Sequence, residues 1–287
     1  MTTENAQQIA DWNGPMGRQW AALQIDLDKV VAPFGAAALR AAAAQAGERV
    51  IDIGCGCGDT SMELAQMVGA QGAVLGVDVS QPMLEVARGR AQREGHGQLG
   101  FLEADASRAD LPAALDLMYS RFGLMFFEHP DSAFVHLRKS LRPGGRLAFV
   151  CWRAPRDNPW AMAPLVAARK AMGVTPTPAD PNAPGPFAFA DEQRVRAILE
   201  GAGFSDIGLA RCDAPIVLGA SPRAAAERAV SFGPAARFLK EAGPEHLNTI
   251  QDAIERALAA VAASDGSISL TGSTWVVTAT SQRWRAR

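Results

Sequence analysis

The sequence lacks the features that mark nucleic-acid-binding and membrane-spanning proteins. Its 28 lysine and arginine residues are balanced by 30 aspartate and glutamate residues, and the basic side chains are dispersed along the chain. Because nucleic-acid binding needs a basic face, we expect neither DNA nor RNA as a partner. No apolar run reaches the ~20 residues that a membrane helix needs. The first residues also lack the basic and apolar regions of a signal peptide, so we expect a cytoplasmic protein.

Cysteine is scarce, and the arrangement of the four cysteines does not indicate a metal site. Cys55 and Cys57 have the spacing of a C-x-C metal pair, and Cys151 and Cys212 are the other two thiols. However, Cys55 and Cys57 stand between glycines, at positions where many small residues serve. Cys151 ends an apolar run, in which a free cysteine behaves as a small hydrophobic residue. We therefore expect no metal.

The most informative pattern that is present is a strand, a tight glycine turn and the start of a helix. An apolar run at residues 50–53 is followed by glycines at positions 54, 56 and 58 and by an amphipathic segment from Asp59. Glycine allows positive φ angles and a close approach of a ligand to the backbone. The helix behind the turn begins with unpaired N–H groups that can bind an anionic or polar ligand. The pattern therefore predicts a site for a nucleotide-type ligand.

The spacing of the glycines distinguishes two such ligands. A dinucleotide site has the pattern G-x-G-x-x-G, which would place its third glycine at position 59. That position holds Asp59, and the third glycine comes one residue earlier, at Gly58. An acidic residue, Asp52, precedes the turn and completes the pattern D-x-G-x-G-x-G. Nicotinamide-dependent reduction is therefore disfavoured.

These motifs resemble those of class I S-adenosylmethionine (SAM) dependent methyltransferases. After the glycine turn come a second strand ending at Asp78, a helix with Ser80 as its N-cap, a third strand followed by Asp105, and an L-R-P-G-G turn at 141–145 before the fifth strand. The resemblance covers about residues 48–152, and the L-x-x-A-G-F segment at 199–204 is a late signature of small-molecule methyltransferases. It implies an α/β, Rossmann-like, doubly wound sheet of seven mostly parallel strands with an antiparallel last strand. The alternation of helices and strands independently predicts a parallel sheet covered on both faces.

The resemblance also implies SAM as the cofactor. Asp78 lies 20 residues after Gly58, about the distance at which an acid reaches the ribose hydroxyls in a βαβ unit. In this class an aspartate at the position of Asp105 usually accepts the adenine amino group. The expected cofactor-binding residues are Asp52, Gly54, Cys55, Gly56, Gly58, Asp78, Val79, Met83, Asp105, Ala106 and Arg121.

Residues outside the motifs are expected to bind the methyl acceptor. The run at 120–130 resembles the ubiquinone and menaquinone methyltransferase branch, and its apolar body indicates a pocket floor. Methyl transfer needs a general base only when the acceptor loses a proton, and His129 is the candidate because imidazole titrates near neutrality. The simpler alternative, which we favour, is that His129 merely begins the next helix. The expected substrate-binding residues are Trp12, Trp20, Phe126, Trp152 and Arg153, although Trp12 and Trp20 would serve equally well as helix anchors.

The chain is expected to divide into a helical lid at 1–47 and a methyltransferase domain at 48–287. Lid helices are predicted at 7–12, 18–31 and 36–46, separated at Gly14-Pro15 and Pro33-Phe34-Gly35. A proline-rich flap at 153–187 and a helical insertion at 221–263 interrupt the second part. We expect the insertion to be either a cap or a dimer surface. In the second case the protein would be a homodimer.

The expected function is methyl transfer from SAM to a small, partly apolar metabolite. The first hypothesis is O- or C-methylation of a quinone-like, phenolic or polyketide-like acceptor. Two alternatives stay open: a small-molecule N-methyltransferase, which needs no base for a neutral amine, and a SAM-binding protein with a non-methylating role.

Overall fold

The computed structural model describes residues 5–175 and 180–282. Within them, seven strands form one sheet. The strands are β1 (Arg49–Ile53), β2 (Ala73–Asp78), β3 (Leu99–Glu103), β4 (Leu115–Arg121), β5 (Leu141–Trp152), β6 (Phe204–Gly219) and β7 (Ile268–Ser281).

The strand order β3-β2-β1-β4-β5-β7-β6 confirms the predicted doubly wound fold. Strands β1 to β5 are parallel where they pair, and the section β5-β7-β6 is antiparallel. The chain moves outward from β1 to β3 and then returns to place β4 on the other side of β1. Open α/β sheets bind ligands outside the carboxyl ends of their strands at such a switch point. The fold therefore places the glycine turn, which follows β1, where a ligand is expected.

Helices alternate with the strands along most of the chain. They are α1 (Ala6–Asn13), α2 (Pro15–Ala22), α3 (Gln24–Ala42), α4 (Asp59–Val68), α5 (Gln81–Glu94), α6 (Pro130–Arg138), α7 (Pro159–Ala171), α8 (Glu192–Gly201), α9 (Pro222–Ser231), α10 (Pro234–Ala242) and α11 (Leu247–Ala259).

The chain forms two compact units. Unit 1 comprises Met1–Cys151, Asn182–Cys212 and Thr274–Arg287, and unit 2 comprises Trp152–Pro181 and Asp213–Ser273. Unit 2 holds α7 and α9 to α11, and its helix α11 packs on both α7 and α9. The flap and the insertion, which are separate in sequence, thus contribute helices to the same unit. The domain boundaries drawn from the sequence stay a prediction.

The core of unit 1 lies on the faces of a sheet whose central strands are buried. All but one residue of β1 is buried, as expected for a parallel strand covered on both sides. Three phenylalanines, Phe134 of α6, Phe149 of β5 and Phe189 before α8, contact one another with ring centroids 6.0–6.1 Å apart. The contacts of these rings pack α6 against the sheet next to the carboxyl end of β4.

The expected break of the lid helices at Pro33-Phe34-Gly35 is wrong, because α3 continues through Pro33. A proline inside a helix removes one backbone hydrogen bond and costs about 3 kcal/mol. Here Phe34 is fully buried with its ring 6.2 Å from that of Phe122, and the carbonyl of Gly35 accepts a hydrogen bond from Tyr119. This packing against the β4 region offsets the cost. The break at Gly14-Pro15 is confirmed, and a further one falls at Leu23.

Two smaller expectations also need correction. The segment 141–145 is not a turn before the strand but an irregular part of β5: Leu115 pairs with Leu141, and Leu117 already pairs with Arg146. The residues between them loop out as a wide bulge, with Gly144 at a φ of 78°. Ser80 precedes α5 as expected, but its hydroxyl donates to the carbonyl of Trp12 instead of capping the helix.

No helix within residues 5–175 and 180–282 is long and apolar enough to cross a membrane.

Neighbouring residues of α6 provide a test of this core. Phe134→Ala removes a fully buried ring and should lower the free energy of unfolding by about 3–5 kcal/mol. Val135→Ala, at a position 42% exposed on the same helix, should change it by less than about 0.5 kcal/mol. Urea denaturation followed by circular dichroism measures both values. Equal effects would show that the packing of α6 on the sheet is not as described.

Candidate functional site

The candidate site is built where β1 and β4 end, and its backbone requires glycine. Gly54 and Gly58 have φ angles of 67° and 80°, which residues with a side chain rarely adopt. A Cβ atom on Gly54 would lie 2.7 Å from the Cα of Gly123, at the exit of β4. One on Gly58 would lie 3.2 Å from the ring of Phe101. The turn therefore brings the ends of two central strands into direct backbone contact.

Asp78, at the end of β2, fixes the shape of the turn. Its Oδ2 accepts the N–H of Gly56 at 2.8 Å, and its Oδ1 accepts the N–H of Ser80 at 2.9 Å. Burial raises the pKa of the carboxyl, while these two N–H groups act in the opposite direction. A carboxylate has about four acceptor positions, so these bonds and one from the Val79 N–H leave at least one position for a ligand.

Asp52 is fully buried beneath the turn. Its Oδ2 accepts hydrogen bonds from the hydroxyls of Thr60 at 2.8 Å and Ser61 at 2.7 Å, both in the first turn of α4. Its Oδ1 has no hydrogen-bond partner among the described residues. Burial raises the pKa of Asp52 to about 6. A buried oxygen without a partner is uncommon in folded proteins, and this oxygen retains its capacity to accept a hydrogen bond.

Four charged side chains form a closed ring beside the turn, which we call the ion ring. Arg121 pairs with Asp59 at 2.8 Å and with Asp28 at 2.9 Å, and Arg90 pairs with the same two carboxylates at 3.0 and 3.1 Å. Arg90 also donates to the carbonyl of Cys57, in the glycine turn. The ring thus joins α3, α4, α5 and the end of β4.

The ion ring determines the charge of its members. Burial acts to raise the pKa of Asp59, but Arg121 and Arg90 together hold it below its ordinary value. Burial acts to lower the pKa of Arg121, and Asp59 and Asp28 raise it instead. The sequence indicated Arg121 as a cofactor contact. In the structure its guanidinium group is 12% exposed and binds two carboxylates, so a ligand would meet a neutralised cation.

The remaining expected cofactor residues also lie in unit 1, around the turn. Met83 is buried, and its Cε would lie 2.8 Å from a Cβ on Gly56. The carbonyl of Val79 accepts a hydrogen bond from Asn13. Ala106 is buried beside Asp105, whose carboxylate accepts from the N–H of Ser107.

The two cysteines of the turn are buried thiols. Burial raises the pKa of Cys57 to about 12 and that of Cys55 well above its ordinary value. Both are therefore protonated near pH 7, whereas a metal binds the thiolate. Within the part of the chain that the structure describes, no group of three or more histidine, cysteine or acidic residues has the arrangement of a metal site.

The expected acceptor residues fall in two places. In unit 1, Trp12 contacts Trp20 and Phe126 edge to face, with ring centroids 5.6 and 5.5 Å apart. In unit 2, Trp152 lies 4.9 Å from Trp160 and is buried. The guanidinium of Arg153, also in unit 2, pairs with Asp157 and Asp213.

His129 lies at the start of α6 and is exposed. Its carbonyl accepts hydrogen bonds from Ser132 and Ala133, as expected for a residue that begins a helix. Its role as a base stays a prediction.

Several residues that complete the site are not indicated by any sequence motif. Asp28 and Arg90 of the ion ring carry no motif, and their partners lie 31 to 93 residues away along the chain. Asn5 and Asn13, which fasten α1 near the site, were not anticipated either. Of the other two members of the ion ring, the sequence singles out Asp59, which occupies the place of a glycine, and Arg121, as an expected cofactor contact.

The raised pKa of Asp52 predicts a specific pH dependence. The folded protein favours the protonated carboxyl, so this group's contribution to stability is complete below pH ~4 and is lost as the pH rises to about 6. A shift of about two pKa units corresponds to about 3 kcal/mol. The difference in free energy of unfolding between wild type and Asp52→Asn should therefore fall by about that amount between pH 4 and 7. Urea denaturation at several pH values measures it, and a constant difference would contradict the prediction.

Comparison with known proteins agrees with this geometry. Residues 50–145 match the model of a methyltransferase domain family. Over 148 residues the chain is 32% identical to the ubiquinone/menaquinone biosynthesis C-methyltransferase UbiE of Pseudomonas putida. That alignment covers 51% of the chain and 52% of the relative, so the chain spans about half the length of the curated relatives it matches.

Solved structures share the fold over most of the chain. The YcgJ protein of Bacillus subtilis has a TM-score of 0.56 and 19% identity, covering 85% of this chain and 96% of that protein. Phosphoethanolamine N-methyltransferase 2 of Haemonchus contortus, solved with SAM, has a TM-score of 0.53 and 19% identity, covering 87% of this chain and 52% of that one. The resemblance inferred from the motifs is thus confirmed for residues 50–145, which are similar to the methyltransferase domain family, and the solved structures show that the chain shares the fold of SAM-dependent methyltransferases.

Proposed function

We propose that the protein transfers a methyl group from SAM to a small, partly apolar metabolite, by O- or C-methylation of a quinone-like, phenolic or polyketide-like acceptor. The observation that carries the proposal is the glycine turn at the β1/β4 switch point, where the carboxylate of Asp78 accepts the N–H of Gly56. This arrangement leaves at least one acceptor position on Asp78 for a ribose diol at the edge where open α/β sheets bind ligands.

The charges of the site residues suit the binding of SAM. SAM supplies a methyl group already activated by its positive sulfur, so the protein mainly has to orient the donor and the acceptor. Arg121 is neutralised within the ion ring, whereas Asp52 and Asp78 offer acceptor oxygens to a cationic ligand. Asp52 would be mostly ionised at neutral pH, since its pKa is about 6. These features support binding of SAM at the turn.

The proposal for the acceptor rests on the aromatic cluster of Trp12, Trp20 and Phe126. Aromatic side chains bind flat, apolar molecules through large contact areas and edge-to-face packing. The name of the UbiE relatives, C-methyltransferases of quinone biosynthesis, agrees with such an acceptor. His129 is proposed as the base only for an acceptor that must lose a proton. The N-methyltransferase among the solved relatives keeps an amine acceptor as the second candidate.

Transfer of label tests the proposed reaction. With methyl-labelled SAM and a panel of a hydroquinone, a catechol, a polyketide-like phenol and a primary amine, we expect labelled product from the phenolic or quinol compounds. Chromatography with mass spectrometry identifies the product and the atom methylated. Label on the amine alone would favour N-methylation. SAM binding without any labelled product would favour the non-methylating alternative.

Binding of the donor tests the role of Asp78 without knowledge of the acceptor. Asp78→Ala removes a charged hydrogen-bond acceptor, and each such bond is worth about 1.5–3 kcal/mol, so SAM affinity should fall by about 10-fold to 150-fold. Asp110→Ala, at an exposed aspartate after β3, is the matched control and should bind SAM like the wild type. Isothermal titration calorimetry measures the affinities, and circular dichroism verifies the fold. An unchanged affinity in folded Asp78→Ala would refute the ribose assignment.

A further inference from the structure

Asn5 is buried although it lies close to the start of the chain. Its side chain and backbone are 7% exposed, and its backbone adopts the left-handed conformation, with a φ of 62° and a ψ of 9°. Asparagine tolerates this conformation better than most residues with a side chain. The residue precedes α1 and reaches the loops that follow β3 and β4.

The carboxamide of Asn5 uses both its donor and its acceptor. Its Nδ2 donates to Oδ2 of Asp105 at 3.0 Å and to the hydroxyl of Ser107 at 3.1 Å. Its Oδ1 accepts the N–H of Glu128 at 2.9 Å, and its own N–H donates to the Glu128 carboxylate at 2.7 Å. A carboxylate acceptor and a backbone donor thus lie side by side, and one amide group satisfies both.

An adenine edge presents the same pattern as a carboxamide. Its amino group donates next to a ring nitrogen that accepts, which is why asparagine and glutamine pair with adenine through two hydrogen bonds. The groups that bind the amide of Asn5 are therefore complementary to an adenine edge as well. Asp105 is also the residue expected to accept the adenine amino group of SAM.

Asp105 would keep its orientation if Asn5 left. Its Oδ1 accepts the N–H of Ser107 at 3.0 Å and the hydroxyl of the same residue at 2.7 Å. Its Oδ2 contacts Asn5 and, at 3.4 Å, the guanidinium of Arg108. Withdrawal of Asn5 would thus expose an oxygen that is already held in place.

The opposite end of α1 makes contacts of another kind. Asn13 donates to the carbonyl of Val79 at 2.7 Å and accepts the N–H of Gln81 at 2.9 Å. These bonds hold the loop after β2 by its backbone and leave the carboxylates of the site untouched. Helix α1 is therefore held at both ends, but Asn5 contacts a carboxylate that is expected to bind the donor, whereas Asn13 contacts only backbone groups of the loop after β2.

We propose that the Asn5 carboxamide is an internal competitor of the donor's adenine, which must release Asp105 before SAM binds. The inference rests on the proposed function, because it takes the donor to be SAM. Asn13 keeps α1 attached while Asn5 leaves. The observed affinity for SAM is then the intrinsic affinity multiplied by the fraction of molecules in which Asn5 has released Asp105.

Calorimetry with S-adenosylhomocysteine tests the competition through variants at the two ends of α1. Asn5→Ala should bind this ligand about tenfold more tightly than the wild type, the factor expected for loss of about one net hydrogen bond. Asn13→Ala should not bind it more tightly. Asn248→Ala, at an exposed position of α11, is the matched control and should leave the affinity unchanged. Thermal denaturation verifies that each variant is folded.

The outcomes separate the inference from the proposed function. Unchanged or weaker binding by Asn5→Ala overturns the competition and leaves the proposed function intact. Equal tightening by Asn5→Ala and Asn13→Ala also overturns it, since the obstruction would then belong to α1 as a whole. Absence of binding to the wild type and to Asn5→Ala would refute the proposed function and this inference with it.

A second ligand tests the adenine match itself. S-ribosylhomocysteine lacks the adenine, so its binding does not require Asn5 to release Asp105. Substitution of Asn5 should therefore tighten binding of S-adenosylhomocysteine much more than binding of S-ribosylhomocysteine. Equal tightening of the two ligands would show that Asn5 does not compete with the adenine and would overturn the proposal.

Discussion

Four side chains, Asp28, Asp59, Arg90 and Arg121, alternate in charge around one ring that water reaches only in part. A charge removed from water costs several kcal/mol unless a partner of opposite sign lies beside it, so each member of the ion ring requires the others. The ring draws its members from α3, α4, α5 and β4. The three helices and β4 must therefore meet next to the glycine turn. Their ion pairs hold the turn in position within unit 1.

The ion ring also shapes the electrostatics of the candidate site. Arg121 and Arg90 are balanced by Asp28 and Asp59 within the ring, so they contribute little positive charge to the turn. Outside the ring, Asp52 is fully buried, and Asp78 and Asp105 are the carboxylates that we propose to face a ligand. Asp78 and Asp105 accept hydrogen bonds from backbone N–H groups, which orient both carboxylates without using all their acceptor positions. Such a site favours a ligand with donor hydroxyl and amino groups and a positive charge.

Much of the fold was predictable from the sequence, and the errors have tertiary causes. The glycine turn, the strands that end at Asp78 and before Asp105, and the break at Gly14-Pro15 all follow from backbone preferences over a few residues. Pro33 was read as a helix break, but burial of Phe34 carries α3 through it. The segment 141–145 was read as a turn, but pairing with β4 absorbs it as a bulge.

The sequence by itself determined the order of strand, turn and helix and the placing of carboxylates at strand ends. The conformation of glycine and the pattern of apolar residues depend on a few neighbouring residues, so they can be predicted from the sequence without knowledge of the fold. Only the tertiary structure decided the partner of each carboxylate, because Asp105 meets Asn5 across 100 residues and Asp28 meets Arg121 across 93. Hydrogen bonds and ion pairs act over about 3 Å, and only folding brings such distant residues within that range.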